Sequence, residues 1–495
     1  MVPPLARPRR ALPLAGLLLL ALVPAPRALA SATQITIMHD DKEIVAASGA
    51  HRDMRLAEMK ALGADVVKIR LDWRGAAPSP RSKTKPAGFV GDDSTKYPPQ
   101  AFVNYDAAIR AIVAHGMRPH VLLGGASPDW AGGKNGRGGR PDPTEFGRFV
   151  RAVASRYSGT FSPSASNPMA VLPRVEIWSV WNEPDLDGWI SPQYKDGRPE
   201  SPSIYRRMVY AAHSALAATG HGGDQQLIGE LIPFARSGHT DNKVRPVQFL
   251  RELACVDSSY RPYTGQAAKD RHCDNFKPLP GTGLAHHPYT LSGGPDVGNS
   301  NHDDVSIAEL GRLVTALDKL ASRNRLESKR MPVYVSEFGF QTNPPDQYAP
   351  DIKDVPGYLG ESEWLTYRNP RVASYAQYPL VDDKSSAGSF QSGLRTSGGT
   401  KKPGVYDAFR LPLFVKRRSS NAVEVFGGVR AAAQGETVTV DSKVGGGSWK
   451  PVSNGTVKLG PQGYFDRVFT LSDASSRYWR SRYGGRKSRT ARAHG

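Results

Sequence analysis

A strand-like run followed by a helix-like run, repeated eight times between residues 34 and 411, constrains this chain more than any other feature. Short apolar runs at 34–38, 66–73, 120–124, 175–180, 227–232, 283–289, 331–340 and 372–381 predict strands. Longer stretches at 50–62, 105–114, 146–157, 204–218, 247–255, 307–321, 361–367 and 405–411 predict helices. In the third of these, Phe146, Phe149, Val150, Val153 and Tyr157 recur at the spacing that lines one helical face. Strand–helix alternation implies a parallel sheet. Eight such units predict an α/β fold, a (β/α)8 TIM barrel, rather than an open sheet. No Gly-rich turn follows the first strand, which argues against a dinucleotide-binding fold.

Beyond about residue 415 helical spacing disappears. Short alternating runs at 423–426, 437–440, 455–458 and 464–471, separated by Gly, Asn, Pro and Ser, predict a small C-terminal β-sandwich domain. The expected organisation is a signal peptide at 1–30, a catalytic barrel at 31–415, the sandwich at 416–485 and a basic disordered tail at 486–495. Arg7, Arg9 and Arg10 precede an apolar stretch that ends in Ala28-Leu29-Ala30, a small-x-small cleavage pattern. The protein is therefore expected to be secreted. That stretch is too short to span a bilayer comfortably, and no other run is long and apolar enough to serve as a transmembrane segment. In such a compartment Cys255 and Cys273 are expected to form a disulfide that staples a loop.

The net charge of +19 raises the question of nucleic acid. More than half of it lies at the two ends, in four arginines before residue 30 and seven Arg or Lys residues after residue 476. The rest is spread thinly, whereas a nucleic-acid footprint needs a clustered patch on a folded face. No nucleic-acid partner is expected. Association of the basic C-terminus with a cell surface or acidic polymer stays open.

Two glutamates stand where an apolar strand stops. Glu183 lies in Trp181-Asn182-Glu183-Pro184 after the fourth strand, and Glu337 in Ser336-Glu337-Phe338-Gly339 at the end of the seventh. A carboxylate there is costly unless the site uses it, and barrels carry their chemistry at that end of their strands. A pair of carboxyls is what glycosidic hydrolysis requires, one as acid and one as base or nucleophile.

These two motifs resemble the acid/base and nucleophile signatures of clan A glycoside hydrolases, with a texture similar to the cellulase-like family 5 and the xylosidase-like family 39. The resemblance covers about residues 34 to 411. It implies that Glu183 is the acid/base and Glu337 the nucleophile of a retaining O-glycosyl hydrolase acting on a polysaccharide or oligosaccharide. It further implies that Asn182 holds the sugar 2-hydroxyl, that Arg70 supports the nucleophile, and that the Tyr289 hydroxyl of His287-Pro288-Tyr289 touches it. His286 is the alternative to His287. Many clan members stack a Trp at the end of strand eight. This chain has none there, which leaves Tyr378 or Tyr375. Trp73, Trp130 and Trp189 follow strands two, three and four and offer flat faces for sugar or for packing. No metal-ligand or nucleotide motif appears, so no metal and no cofactor is expected. A transglycosylase using the same residues, and a non-catalytic carbohydrate-binding protein on a degenerate barrel, are the alternatives.

Overall fold

The computed structural model describes residue 1 and residues 31–164, 166–235, 242–290, 293–384 and 389–495. The expected signal peptide therefore lies outside the described residues apart from Met1. Eight parallel strands close on themselves: β1 (Ile35–His39), β2 (Val66–Asp72), β3 (Arg118–Gly124), β4 (Ile177–Val180), β5 (Gln225–Leu231), β6 (Gly283–His286), β7 (Val333–Val335) and β8 (Val372–Gln377). Closure is direct, since Ile37 of β1 pairs with Val66 on one side and Ala376 on the other. The helices that follow these strands in turn are α1 (Gly49–Ala61), α2 (Val103–Ala114), α3 (Pro143–Arg156), α4 (Ser201–Ala218), α5 (Pro246–Leu253), α6 (Leu310–Ser322), α7 (Val355–Tyr367) and α8 (Val405–Arg410). The fold is the expected (β/α)8 barrel.

Local chemistry explains each element. In β2 the apolar Val67, Ile69 and Leu71 alternate with Lys68, Arg70 and Asp72, so one face can meet the helices and the other the barrel interior. In α3 the Asp142 carboxylate accepts from the Thr144 and Glu145 amides, with Pro143 opening the first turn. Its Phe146 and Phe149 then pack on Trp73, each with ring centroids 5.6 Å away. Helix α7 starts six residues before the expected 361. Pro356 fits a first turn, where no amide hydrogen is needed. Gly360 permits a close approach, since a Cβ there would meet the Leu413 carbonyl at 2.3 Å.

The C-terminal domain is two packed sheets. One has the order β9–β10–β13, with β9 Leu413–Arg417, β10 Ala422–Gly428 and β13 Tyr464–Thr470. The other has β12 (Lys450–Lys458), β11 (Thr437–Lys443), β14 (Tyr478–Tyr483) and β15 (Arg486–Lys487) side by side, with β16 (Ala491–Arg492) also on β14. The basic tail is thus not a disordered end. Its backbone pairs with β14, Ala491 is buried, and the His494 amide donates to the Val415 carbonyl at 2.8 Å. Strand pairing is made by the main chain, so a run of arginines that point away does not prevent it.

The first sheet lies on α7, where Trp364 meets Phe414 and Tyr367 meets Phe426, each pair at 4.9 Å. Arg430 seals the contact. It is buried, pairs with Glu363 at 2.6 Å and also donates to Thr36 near the start of β1. The sandwich therefore holds the barrel near the N-terminal ends of its strands, away from Glu183 and Glu337. Cys255 and Cys273 are joined in a disulfide with a Cα–Cα distance of 5.8 Å. Among the described residues no helix is long and apolar enough to cross a membrane.

Candidate active site

The two glutamates meet in the barrel mouth. One oxygen of Glu183, one of Glu337 and a ring nitrogen of His287 all lie within 4.8 Å of one another. Glu183 reaches this position through an unusual backbone. Trp181 has φ of 66° and Glu183 of 38°, both in the left-handed region that side chains disfavour. The turn is held by its neighbours. The Trp181 amide donates to Leu123, the Glu183 amide donates to the Glu230 carbonyl at 3.0 Å, and the Trp181 ring is buried against Phe146 and Trp73. Glu337 follows β7, whose register is continued by the Ser336 amide bonding to His286 at 3.2 Å.

His287 links the carboxylates. Its Nδ1 lies 2.9 Å from Glu183 Oε1 and its Nε2 2.6 Å from Glu230 Oε2. Both ring nitrogens face carboxylate oxygens, an arrangement that favours the imidazolium. Burial opposes that charge, yet Glu337 and the hydrogen bonds to Glu183 and Glu230 push the His287 pKa up to about 10. Beneath it lies a fully buried polar layer. Glu230 Oε2 accepts from Lys68 at 2.7 Å and from Ser336 Oγ at 2.6 Å as well as from His287. Burial would raise the Glu230 carboxyl, but Lys68 and His287 hold it well below its ordinary range.

The two catalytic-site candidates have different surroundings. Burial acts to raise the Glu337 pKa, but His287, His39 and Lys68 outweigh it and keep the group ionised. Lys68 Nζ is 4.0 Å and His39 Nδ1 3.6 Å from Glu337 Oε2. The Tyr289 hydroxyl donates to Glu337 Oε1 at 2.8 Å, and burial together with Glu337 keeps that hydroxyl protonated. Glu183 is the more open of the two, with 17% of its side chain exposed against 9% for Glu337. Its second oxygen accepts from the Trp189 indole at 3.0 Å.

The remaining sequence candidates are placed as follows. Asn182 is buried beside Glu183. Tyr378 follows β8 and packs on His39 with centroids 4.8 Å apart, and burial, with the Glu337 carboxylate nearby, raises its pKa. The Arg70 backbone amide donates to the Asp41 carboxylate at 3.0 Å, and its guanidinium lies over Trp189 at 5.5 Å. Lys68, two residues deeper on the same face of β2, also reaches Glu337, its Nζ lying 4.0 Å from Oε2. Trp130 donates its indole hydrogen to Pro78 at 3.0 Å and packs edge-on to Trp73 and Phe89, so the contacts it makes are those of a loop shell. Trp73 is a core residue at 1% exposure. His286 turns away to the Val305 carbonyl at 2.8 Å, and burial lowers its pKa to about 3.

Four contributors escaped the sequence reading: His39, Lys68, Glu230 and the role of Trp189. Glu230 did carry a signal as the one charge in β5, whereas Lys68 shares β2 with Arg70 and Asp72. Glu183, His287 and Glu337 are also close enough to offer three ligand atoms to a metal ion. A metal-binding histidine needs a bare ring nitrogen. Both nitrogens of His287 are engaged by carboxylates, so the arrangement fits shared protons better.

No family model matches the chain, and no curated protein matches its sequence. Solved structures resemble it at low identity. A calcium-binding mutant of Bacteroides uniformis beta-glucuronidase 2 aligns with 93% of this chain at 11% identity and TM-score 0.44, and the chain spans 45% of that protein's length. A GH5_18 protein from Streptomyces cattleya, in complex with GlcNAc, aligns with 77% of this chain and 80% of its own at 15% identity and TM-score 0.48. A family 5 glycoside hydrolase from Bacteroides vulgatus aligns with 89% of each chain at 10% identity and TM-score 0.43. These are loose likenesses of fold, and the reading of the chemistry rests on the geometry of the site.

Proposed function

We propose that this chain is a retaining O-glycosyl hydrolase working by double displacement, with Glu337 as nucleophile and Glu183 as acid/base. The observation that carries the reading is the approach of the Glu183 and Glu337 carboxylates, from β4 and β7, to within 4.8 Å. Carboxyls about 5–5.5 Å apart suit direct attack on the anomeric carbon, whereas an inverting enzyme needs about 6.5–9.5 Å to admit water.

The surroundings support the division of roles. Glu337 sits among His287, His39 and Lys68 and accepts from Tyr289, which keeps it ionised and aimed. In the first step a Glu337 oxygen bonds to the anomeric carbon as the leaving oxygen departs and takes the Glu183 proton. In the second, water attacks the same carbon, returns its proton to Glu183 and frees Glu337. His287 holds Glu183 and Glu230 in place throughout, and Trp189 fixes the other Glu183 oxygen. The substrate class is a poly- or oligosaccharide, and Asn182 and Tyr378 are the proposed sugar contacts. A secreted protein in an oxidising compartment is part of the proposal, supported by the Cys255–Cys273 disulfide.

The test is a panel of aryl glycosides and polysaccharides, with the anomeric configuration of the first-formed product read by NMR. Retained configuration, together with loss of activity by about 10²–10⁴-fold in Glu183→Gln, fits the proposal. Inverted product, or Glu337→Gln with near-normal turnover, overturns it.

A further inference from the structure

The outer face of the second sheet of the sandwich carries a charge imbalance that the barrel's chemistry does not use. The first sheet lies between α7 and the second, so this face is turned away from the barrel. Register pairs fix its composition. Asp441 opposes Arg480, Thr439 opposes Arg482, and Lys443 opposes Tyr478 across β11 and β14. Lys487 lies opposite Arg482, and Arg492 opposite Tyr478. Opposed residues share a face, so five cations stand together on one rigid surface. The acid in this array is Asp441. It is 1% exposed and already bonded to both Arg480 and Arg482. Lys443, Lys487 and Arg492 are left without an acid within the array.

Two half-buried rings interleave with these charges. The Arg480 guanidinium lies 4.3 Å from the Trp449 ring centre and Arg492 lies 4.3 Å from that of Tyr478, while Lys443 approaches both. The rings and cations thus touch one another on this face. We propose that this face binds an anionic polysaccharide, one whose sugars carry carboxylate or sulfate groups. Flat rings suit the C–H faces of sugars, and the surrounding cations suit pendant acid groups. Duplex nucleic acid fits less well, because groove readout needs a protruding helix or ribbon. Here the arginines are pressed down onto rings and Asp441 on a sheet face. The inference does not depend on the barrel's activity.

The experiment is affinity electrophoresis of the full chain in gels containing polygalacturonate, dextran or duplex DNA at low and moderate salt. The expected result is retardation by polygalacturonate that weakens with salt, and none by dextran. The Lys443→Ser/Lys487→Ser/Arg492→Ser variant should lose affinity about tenfold while its melting temperature stays near that of the parent. Trp449→Ala, which leaves every charge in place, should also weaken binding. Should the triple variant melt early, Lys487→Glu alone is read instead, and unchanged retardation there overturns the proposal. It is likewise overturned by no retardation at low salt, by equal retardation of parent and triple variant, or by duplex DNA binding at least as tightly as polygalacturonate.

Discussion

Replacing Glu230 by Gln tests the site from below. Glu230 touches neither the barrel mouth nor solvent, yet its Oε2 receives Lys68, His287 and Ser336. The amide is nearly isosteric and removes one charge. Lys68 is then left fully buried, with its next carboxylate, Glu337, 4.0 Å away. Removing one member of a buried pair costs about 3–5 kcal/mol. Part of that cost carries a pH signature through His287. Its pKa is raised from 6.5 to about 10 in the folded protein, which corresponds to about 5 kcal/mol favouring the charged form. A raised value stabilises the fold fully below about pH 6.5, and the stabilisation is lost as pH rises through about 10. Without Glu230 the histidine binds its proton less tightly. The penalty of Glu230→Gln is therefore largest near pH 6.5 and shrinks toward pH 10. The assay is urea unfolding of parent and variant at half-unit intervals across that window. A penalty below about 1 kcal/mol at pH 6.5, or one that does not change with pH, would refute the assignment of His287 as a buried imidazolium held by Glu230.

Four further outcomes are expected. Glu337→Ala should be inert alone and recover turnover with azide, giving a glycosyl azide of inverted configuration. Glu183→Ala with azide should give the retained configuration, because azide then replaces water in the second displacement; identical products from the two variants would exclude the assigned roles. Tyr289→Phe removes one hydrogen bond to a charged carboxylate and should lower kcat/KM about tenfold to a hundredfold, with the fold intact by circular dichroism. Arg430→Leu leaves Glu363 buried without its cation and should cost about 3–5 kcal/mol, seen as earlier melting and faster proteolysis between barrel and sandwich.

The barrel was legible because each strand and helix buries a different periodicity of apolar residues, and that pattern survives in the sequence alone. Glu183 and Glu337 were legible for a related reason, since a carboxylate that ends an apolar strand is conspicuous. Lys68 is one of three charges in β2 and Glu230 the one charge in β5, and their meaning lies in each other, 162 residues apart. The three tryptophans after strands two, three and four look alike in sequence. Tertiary contacts bury Trp73 in the core, tie the Trp130 indole to Pro78 and make Trp189 a partner of Glu183. The C-terminus misled because a run of arginines reads as solvated chain, whereas backbone pairing to β14 and the burial of Ala491 decide its state. Helix α7 extends beyond its sequence signal because Pro356, Gly357 and Gly360 resemble a loop, whereas the close approach of Leu413 to Gly360 holds them in the helix.

Trp181, Glu183 and Glu230 all hold left-handed backbone without being glycine, with φ of 66°, 38° and 54°. Such residues cost on the order of 1–3 kcal/mol each. Their side chains are what the site needs, so the strain cannot be relieved by glycine without losing an indole or a carboxylate. At Trp181 and Glu230 buried packing and a buried ion pair outweigh the strain, so only at the more open Glu183 do folding and the proposed chemistry pull in opposite directions. A library screened for folding alone would drift toward Gly or Asn at Glu183 while keeping the other two.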